Sequence, residues 1–143
     1  MEYLLVSGCL LGNNTKYNGK NNYTPLVEKL KDKYILIACC PEVDGGLSIP
    51  RNPSEISGNL VLSNKGIDVT KEFNLGAKKA LDLVEKYNIK KALLKDGSPS
   101  CGNTYIYDGT FSGTKVNVYG VTAKLLKENG ILVYNEKEIE KLL

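Results

Sequence analysis

Three cysteines, Cys9, Cys40 and Cys101, stand just beyond short apolar runs, in the stretches SGCLLG, ACCPEVDGG and DGSPSCGNT. Thiolates are nucleophiles and soft-metal ligands, so three at equivalent places point to a metal or cluster site, or to redox chemistry. If the apolar runs are neighbouring parallel strands, the loops leaving their carboxyl ends share one crevice. Cysteines with 30 and 60 residues between them can then meet there.

The chain contains no histidine. Any acid–base step falls to Asp, Glu, Lys, Tyr, a thiol or water, and a soft-metal site must rest mainly on sulfur. Structural zinc usually pairs cysteines two to four residues apart, and no CxxC occurs here. Widely spaced single thiols suit an iron-sulfur cluster between strand ends better, and three protein ligands would leave one iron open for substrate. Thiol exchange lacks its usual device, a CxxC at a helix N-terminus. The plainest alternative, cysteine as a small buried hydrophobe, fits any one of them but fits three matching strand ends less well. Cys39 is the exception. Adjacent strand residues face opposite sides, so Cys39 and Cys40 do not both aim at one site; Cys40, preceding Pro41, is the better ligand and Cys39 reads as core. The loop Gly12–Lys20 is no phosphate loop. Six residues separate its glycines and Asn21 follows the lysine, where that pattern needs four and a Ser or Thr.

The elements that must position these cysteines follow from the hydrophobic pattern. Continuous apolar runs at Tyr3–Ser7, Tyr34–Ala38, Lys91–Lys95 and Ile131–Tyr134 predict four strands buried on both faces. Thr24-Pro25 predicts an N-cap and first helical position, for a helix ending near Lys33. Phe73, Ala77, Ala80, Leu81 and Val84 recur at helical spacing within Thr70–Tyr87. A further helix is expected from about Tyr119, closed by Asn129-Gly130, and a last one capped by Asn135 with Glu138 completing a capping box. Pro41–Pro53 reads as a working loop. Two small hairpins are expected, one pairing Asn59–Ser63 with Ile67–Val69 and one pairing Tyr105–Tyr107 with Thr110–Ser112 across Asp108-Gly109. Together these predict an α/β fold: one three-layer, Rossmann-like domain over residues 1–143, with a mainly parallel sheet of about four strands plus small hairpins.

Composition agrees. A chain of 143 residues, 42% apolar and 24% charged, suits one domain with its own core. The net charge of +3 comes from lysines interspersed with acids, which reads as a solvated surface rather than a nucleic-acid footprint. No run approaches the ~20 apolar residues of a membrane span and no signal peptide is evident, so a cytoplasmic location is expected. Clustered cysteines in that reducing compartment indicate metal or catalysis rather than disulfides.

At these motifs the chain resembles a family once designated a domain of unknown function (number 523), which includes the bacterial thiouracil desulfidases. The resemblance spans almost the whole length. It rests on Ser7–Gly12, Cys40–Leu47, Pro50-Arg51 with Pro53 and Glu55, Ser98–Gly102, and Tyr107–Thr114. It implies a 4Fe-4S cluster held by Cys9, Cys40 and Cys101, and removal of sulfur from thiolated pyrimidines such as 2-thiouracil to give the oxo base and sulfide. It also implies Glu42 and Ser98 as catalytic residues. Glu42, two residues past a ligand in a chain without histidine, is the natural base for an attacking water, and Ser98 or its neighbour Ser100 could move a proton or orient substrate. Where the family often has a Cys-Arg-Tyr-Asp-Gly run, this chain has Thr15-Lys16-Tyr17-Asn18-Gly19. The competing function is a non-catalytic iron-sulfur or metal-binding, sulfur-handling module.

Overall fold

The computed structural model describes residues 1–143, and its first apolar run forms β1 (Glu2–Ser7). Leu4 and Val6 pack on one side of this strand and Leu5 on the other, all fully buried, as a strand covered on both faces requires. In chain order there follow β2 (Tyr34–Cys39), α1 (Pro41–Asp44), β3 (Ser54–Ser57), β4 (Leu60–Ser63), α2 (Thr70–Lys86), β5 (Lys91–Leu94), β6 (Ile106–Tyr107), β7 (Lys115–Val116), α3 (Val121–Glu128) and β8 (Leu132–Asn135). Short 3₁₀ helices occupy Gly8–Leu11, Pro25–Asp32 and Ile139–Leu142.

The four strands β2, β1, β5 and β8 form one parallel sheet in that order. From β1 the chain steps outward to β2 and then returns past β1 to β5, so the strand order reverses between β1 and β5. Such a reversal opens a crevice at the strands' carboxyl ends. Leu5, Ala92 and Leu94 pack against Ala80 and Val84 of α2 and Ala123 and Leu126 of α3. On the opposite face Leu4, Val6 and Leu93 meet Val27, Leu30, Ile139 and Leu142. This is the expected three-layer α/β domain.

Several local expectations change. The segment after Thr24 is a 3₁₀ helix in which Val27 and Leu30, three apart, are the buried pair, matching three residues per turn rather than 3.6. Thr24 does not cap it; its hydroxyl donates to the Asn22 carbonyl instead. β2 lies at the sheet edge and is only partly covered. The loop expected from Pro41 begins as α1, with Pro41 at a first helical position where its missing N–H costs nothing.

The hairpin partner of β4 is β3, joined through Gly58-Asn59 with Gly58 at φ 60°. Ile67–Val69 adds to the other side of β4 through the Ser63 amide on Ile67 O and the Val69 amide on Val61 O, so that pairing also exists, as a short addition. β6 pairs with β7, not with Thr110–Ser112. Gly109, Phe111 and Gly113 all have positive φ, which no strand tolerates, and the Gly109 and Phe111 amides donate to Glu55 Oε1. Only half of the expected capping box forms: Glu138 Oε1 accepts the Asn135 amide, but Asn135 Oδ1 accepts the amide of Lys137 rather than that of Glu138, and these bonds close a turn before the last 3₁₀ helix starts at Ile139.

Candidate active site

Because β1, β2 and β5 run parallel and in register, with Ser7 level with Cys39, their carboxyl ends open onto one edge. There a cleft of about 410 Å³ is lined by Cys9, Cys40 and Cys101 together with Glu42 and Ser98. All four cysteines of the chain are free thiols. Cys9 rides on the 3₁₀ turn after β1 and its Sγ accepts the Asn22 side-chain amide at 3.4 Å. Cys40 precedes α1, its N–H donating to Asp44 Oδ2 at 3.1 Å and its thiol facing Thr15 O at 3.8 Å. Cys101 ends a tight turn in which the Ser98 hydroxyl accepts the amides of both Ser100 and Cys101 at 3.1 Å. Cys39, 4% exposed, packs with the α2/α3 core as strand parity predicts, although it also reaches the cleft floor.

Burial raises the Cys9 thiol above its ordinary pKa, with the Asn22 amide and nearby Lys95 and Lys16 opposing and Cys40 reinforcing. Burial holds the Cys101 thiol well above the usual range, against the relief of the Ser7 hydroxyl; Cys9, Glu42 and Cys40 push it further. These mutual effects place Cys9, Cys40 and Cys101 in one electrostatic neighbourhood. A cationic centre is what would turn such thiols into thiolates.

Glu42 reaches the cleft from α1. Pro41 stiffens the start of that helix, and α1 lies against α2 at a contact between glycines: a Cβ on Gly76 would overlap the Pro41 carbonyl, and one on Gly45 would overlap the Glu72 carbonyl. The Glu42 carboxylate receives Arg51 Nε on Oε1 at 3.1 Å and the Ser98 hydroxyl on Oε2 at 3.4 Å. A carboxylate thus stands among three thiols with a hydroxyl attached to it.

No three Cys, Asp or Glu side chains gather around a point as they would for a single metal ion. Three strand-end thiols around an open cleft, one with an amide donor on its sulfur, suit a larger thiolate-held group, since such hydrogen bonds are typical of iron-sulfur ligation. The donor set fits a cluster. A family profile described as 2-thiouracil desulfurase matches residues 4–138.

The chain belongs to this family. It is 40% identical over 150 residues to the uncharacterized protein YbbK of Bacillus subtilis (strain 168), an alignment covering 98% of this chain and 99% of the relative. A solved structure of a 4Fe-4S-dependent thiouracil desulfidase, TudS, superposes with a TM-score of 0.95 at 42% identity, covering 99% of this chain and 95% of that one. Family and fold alike are those of thiouracil desulfidase enzymes.

Around the cleft the structure adds one residue that sequence reasoning passed over, Asn22, and gives Lys95, Asp96 and Ser100 their partners. Asn22 lies in a polar loop with nothing in its spacing to mark it. Lys95 pairs with Glu136 at 3.0 Å and donates to Asp96 O at 2.8 Å. Asp96 is 2% exposed and binds the amides of Gly97, Asn103 and Thr104 and the Thr104 hydroxyl. Burial would raise its pKa, but those donors outweigh it and hold the carboxyl below the usual range. Ser100 borders the cleft, yet its hydroxyl, 1% exposed as a residue, pairs with Thr122 Oγ1 at 2.7 Å, so it ties the cysteine turn to α3. No helix is long and apolar enough to cross a membrane.

Proposed function

We propose that the protein is an iron-sulfur-dependent desulfidase that converts thiolated pyrimidines such as 2-thiouracil to the oxo base and sulfide. The observation that carries this reading is Glu42 hydrogen-bonded to Ser98 in a cleft shared by three strand-end thiols. The named activity of the 42%-identical structural relative supports it. Held by Cys9, Cys40 and Cys101, a 4Fe-4S cluster would supply an iron with an open position, a Lewis acid toward the thiocarbonyl sulfur.

Glu42 then accepts a proton from the water that adds to the carbon bearing sulfur. Ser98 Oγ, already donating to Glu42 Oε2, carries a proton between that oxygen and the departing sulfur. Water oxygen replaces sulfur and the two protons of water leave with it, so no electrons are exchanged. Ser100 serves the substrate side indirectly, anchoring through Thr122 the turn that presents Ser98 and Cys101. A cleft of about 410 Å³ suits a free thiolated base, not nucleic acid, and the thiols call for a reducing compartment, the cytoplasm.

The test is anaerobic reconstitution, counting of iron and inorganic sulfide, and assay of sulfide and uracil released from 2-thiouracil. Both products in equal amount are expected. A loaded protein that yields neither from any thiolated pyrimidine would overturn the reading.

A further inference from the structure

Pro50-Arg51 is one of the motifs on which the family resemblance rests, and the chemistry above leaves Arg51 without a part. Its side chain is 8% exposed and three of its N–H groups are committed: Nε to Glu42 Oε1 at 3.1 Å, Nη2 to Thr15 O at 2.8 Å and Nη1 to Ser48 O at 3.2 Å. Its backbone N–H donates to Tyr17 O at 2.8 Å. The acceptors come from two walls of the cleft, α1 and the loop after the first 3₁₀ turn, and from Arg51's own loop after α1. A planar guanidinium holds such acceptors in one fixed relation, which a lysine cannot do. With Ser98 on the other oxygen, the Glu42 carboxylate is gripped from both sides. Replacing a buried ion pair by well-packed apolar groups is often neutral for stability, so stability alone does not account for this arrangement.

We infer that Arg51 is a positioning residue: it aims the Glu42 carboxylate at the reacting carbon and at the same time pins the Thr15–Tyr17 segment against the cleft. The inference rests on the desulfidase reading for its catalytic half only. With three of its five donors on protein oxygens, one of them Glu42 Oε1, and its side chain nearly buried, Arg51 acts through Glu42 rather than on substrate.

The experiment compares anaerobically reconstituted wild type, Arg51→Met, Arg51→Lys, Glu42→Ala and the Glu42→Ala/Arg51→Met double variant. Arg51→Met should keep its iron and inorganic sulfide and lose about 10²-fold in kcat, the scale of a small misplacement of a reacting group, with KM changed far less. Arg51→Lys should recover part of the rate. In the Glu42→Ala background, removing Arg51 should cost nothing further, because a residue acting through Glu42 has nothing left to act on. Losses that multiply, or cluster loss in Arg51→Met, overturn the inference.

A second readout does not depend on turnover. Trypsin should cut after Lys16 and Lys20 faster in Arg51→Met than in wild type, with Arg51→Lys between them; equal rates overturn the pinning. If the wild type releases no sulfide, the function reading fails and proteolysis alone decides the case of Arg51.

Discussion

At the scale of single residues the site contrasts two kinds of group: thiols, of which burial raises Cys9 and Cys101 above their ordinary pKa, and a carboxylate that its neighbours hold in place. Glu42 is the one acidic group that receives both a guanidinium and a hydroxyl within the cleft. Removing it should leave the cluster intact, since none of the three thiols takes a hydrogen bond from it. Glu42→Ala is therefore expected to lose about 10²- to 10⁴-fold in turnover, the usual worth of general acid–base catalysis, while iron content and the visible spectrum stay as in wild type. A single-turnover sulfide assay beside iron counting checks this, and a retained rate would remove Glu42 from the mechanism. Glu42 was legible in the sequence because it lies two residues from a cysteine in a chain without histidine. Its partner Arg51 was visible only as a motif, because which carboxylate an arginine meets across eight intervening residues depends on how the loop folds back.

At the scale of elements, α1 is too short to hold itself and depends on α2. Glycines at positions 45 and 76 let the two backbones touch, and that contact fixes where Glu42 points. Helix propensity alone favours alanine over glycine in the interior of α2 by about 1 kcal/mol. The packing predicts the opposite sign: Gly76→Ala should destabilise by about 1–3 kcal/mol, as overpacking does, and reduce sulfide release. Urea unfolding beside Lys78→Ala, on the exposed face of the same helix, distinguishes the two. The turn after β5 relies on Asp96, whose pKa is lowered in the fold. A carboxyl with a depressed folded pKa adds stability above its unfolded value, near 3.9, and loses it as pH falls through the folded one. Asp96→Asn should be less stable near neutrality and should lack that acid-dependent loss below about pH 4, as urea unfolding of cluster-free protein from pH 6 to 3 would show. The helix α2 and the four sheet strands could be read directly from hydrophobic period. The hairpin partners could not, since β3 and β7 are selected by positive-φ turns and by the reach of Glu55, neither of which leaves an apolar pattern.

At the scale of the whole molecule, the parallel order β2-β1-β5-β8 converts separated cysteines into one site by placing the β1/β5 reversal where the chain leaves each strand. That convergence could be inferred from apolar runs that each end in a cysteine, because strand direction is shared across a parallel sheet. The same convergence makes the fold sensitive to pH when no cluster is bound. Burial raises the Cys9, Cys39 and Cys101 thiols above their ordinary pKa. A thiol with a raised folded pKa contributes stability that is complete below its unfolded value, near 8.5, and is lost as pH rises above it while the unfolded chain ionises. The proposed cluster ligation would replace the protons on Cys9 and Cys101 and stabilise the fold by mass action. Urea midpoints measured anaerobically from pH 7 to 10 should therefore fall more steeply for the cluster-free protein than for the loaded one, in which Cys39 alone still contributes a loss, so that the gap between them widens with pH. Cys101→Ala, which removes one of the most strongly shifted thiols, should flatten the cluster-free curve. A gap that stays constant across this range would mean that the buried thiols and the cluster are not linked through the same protons.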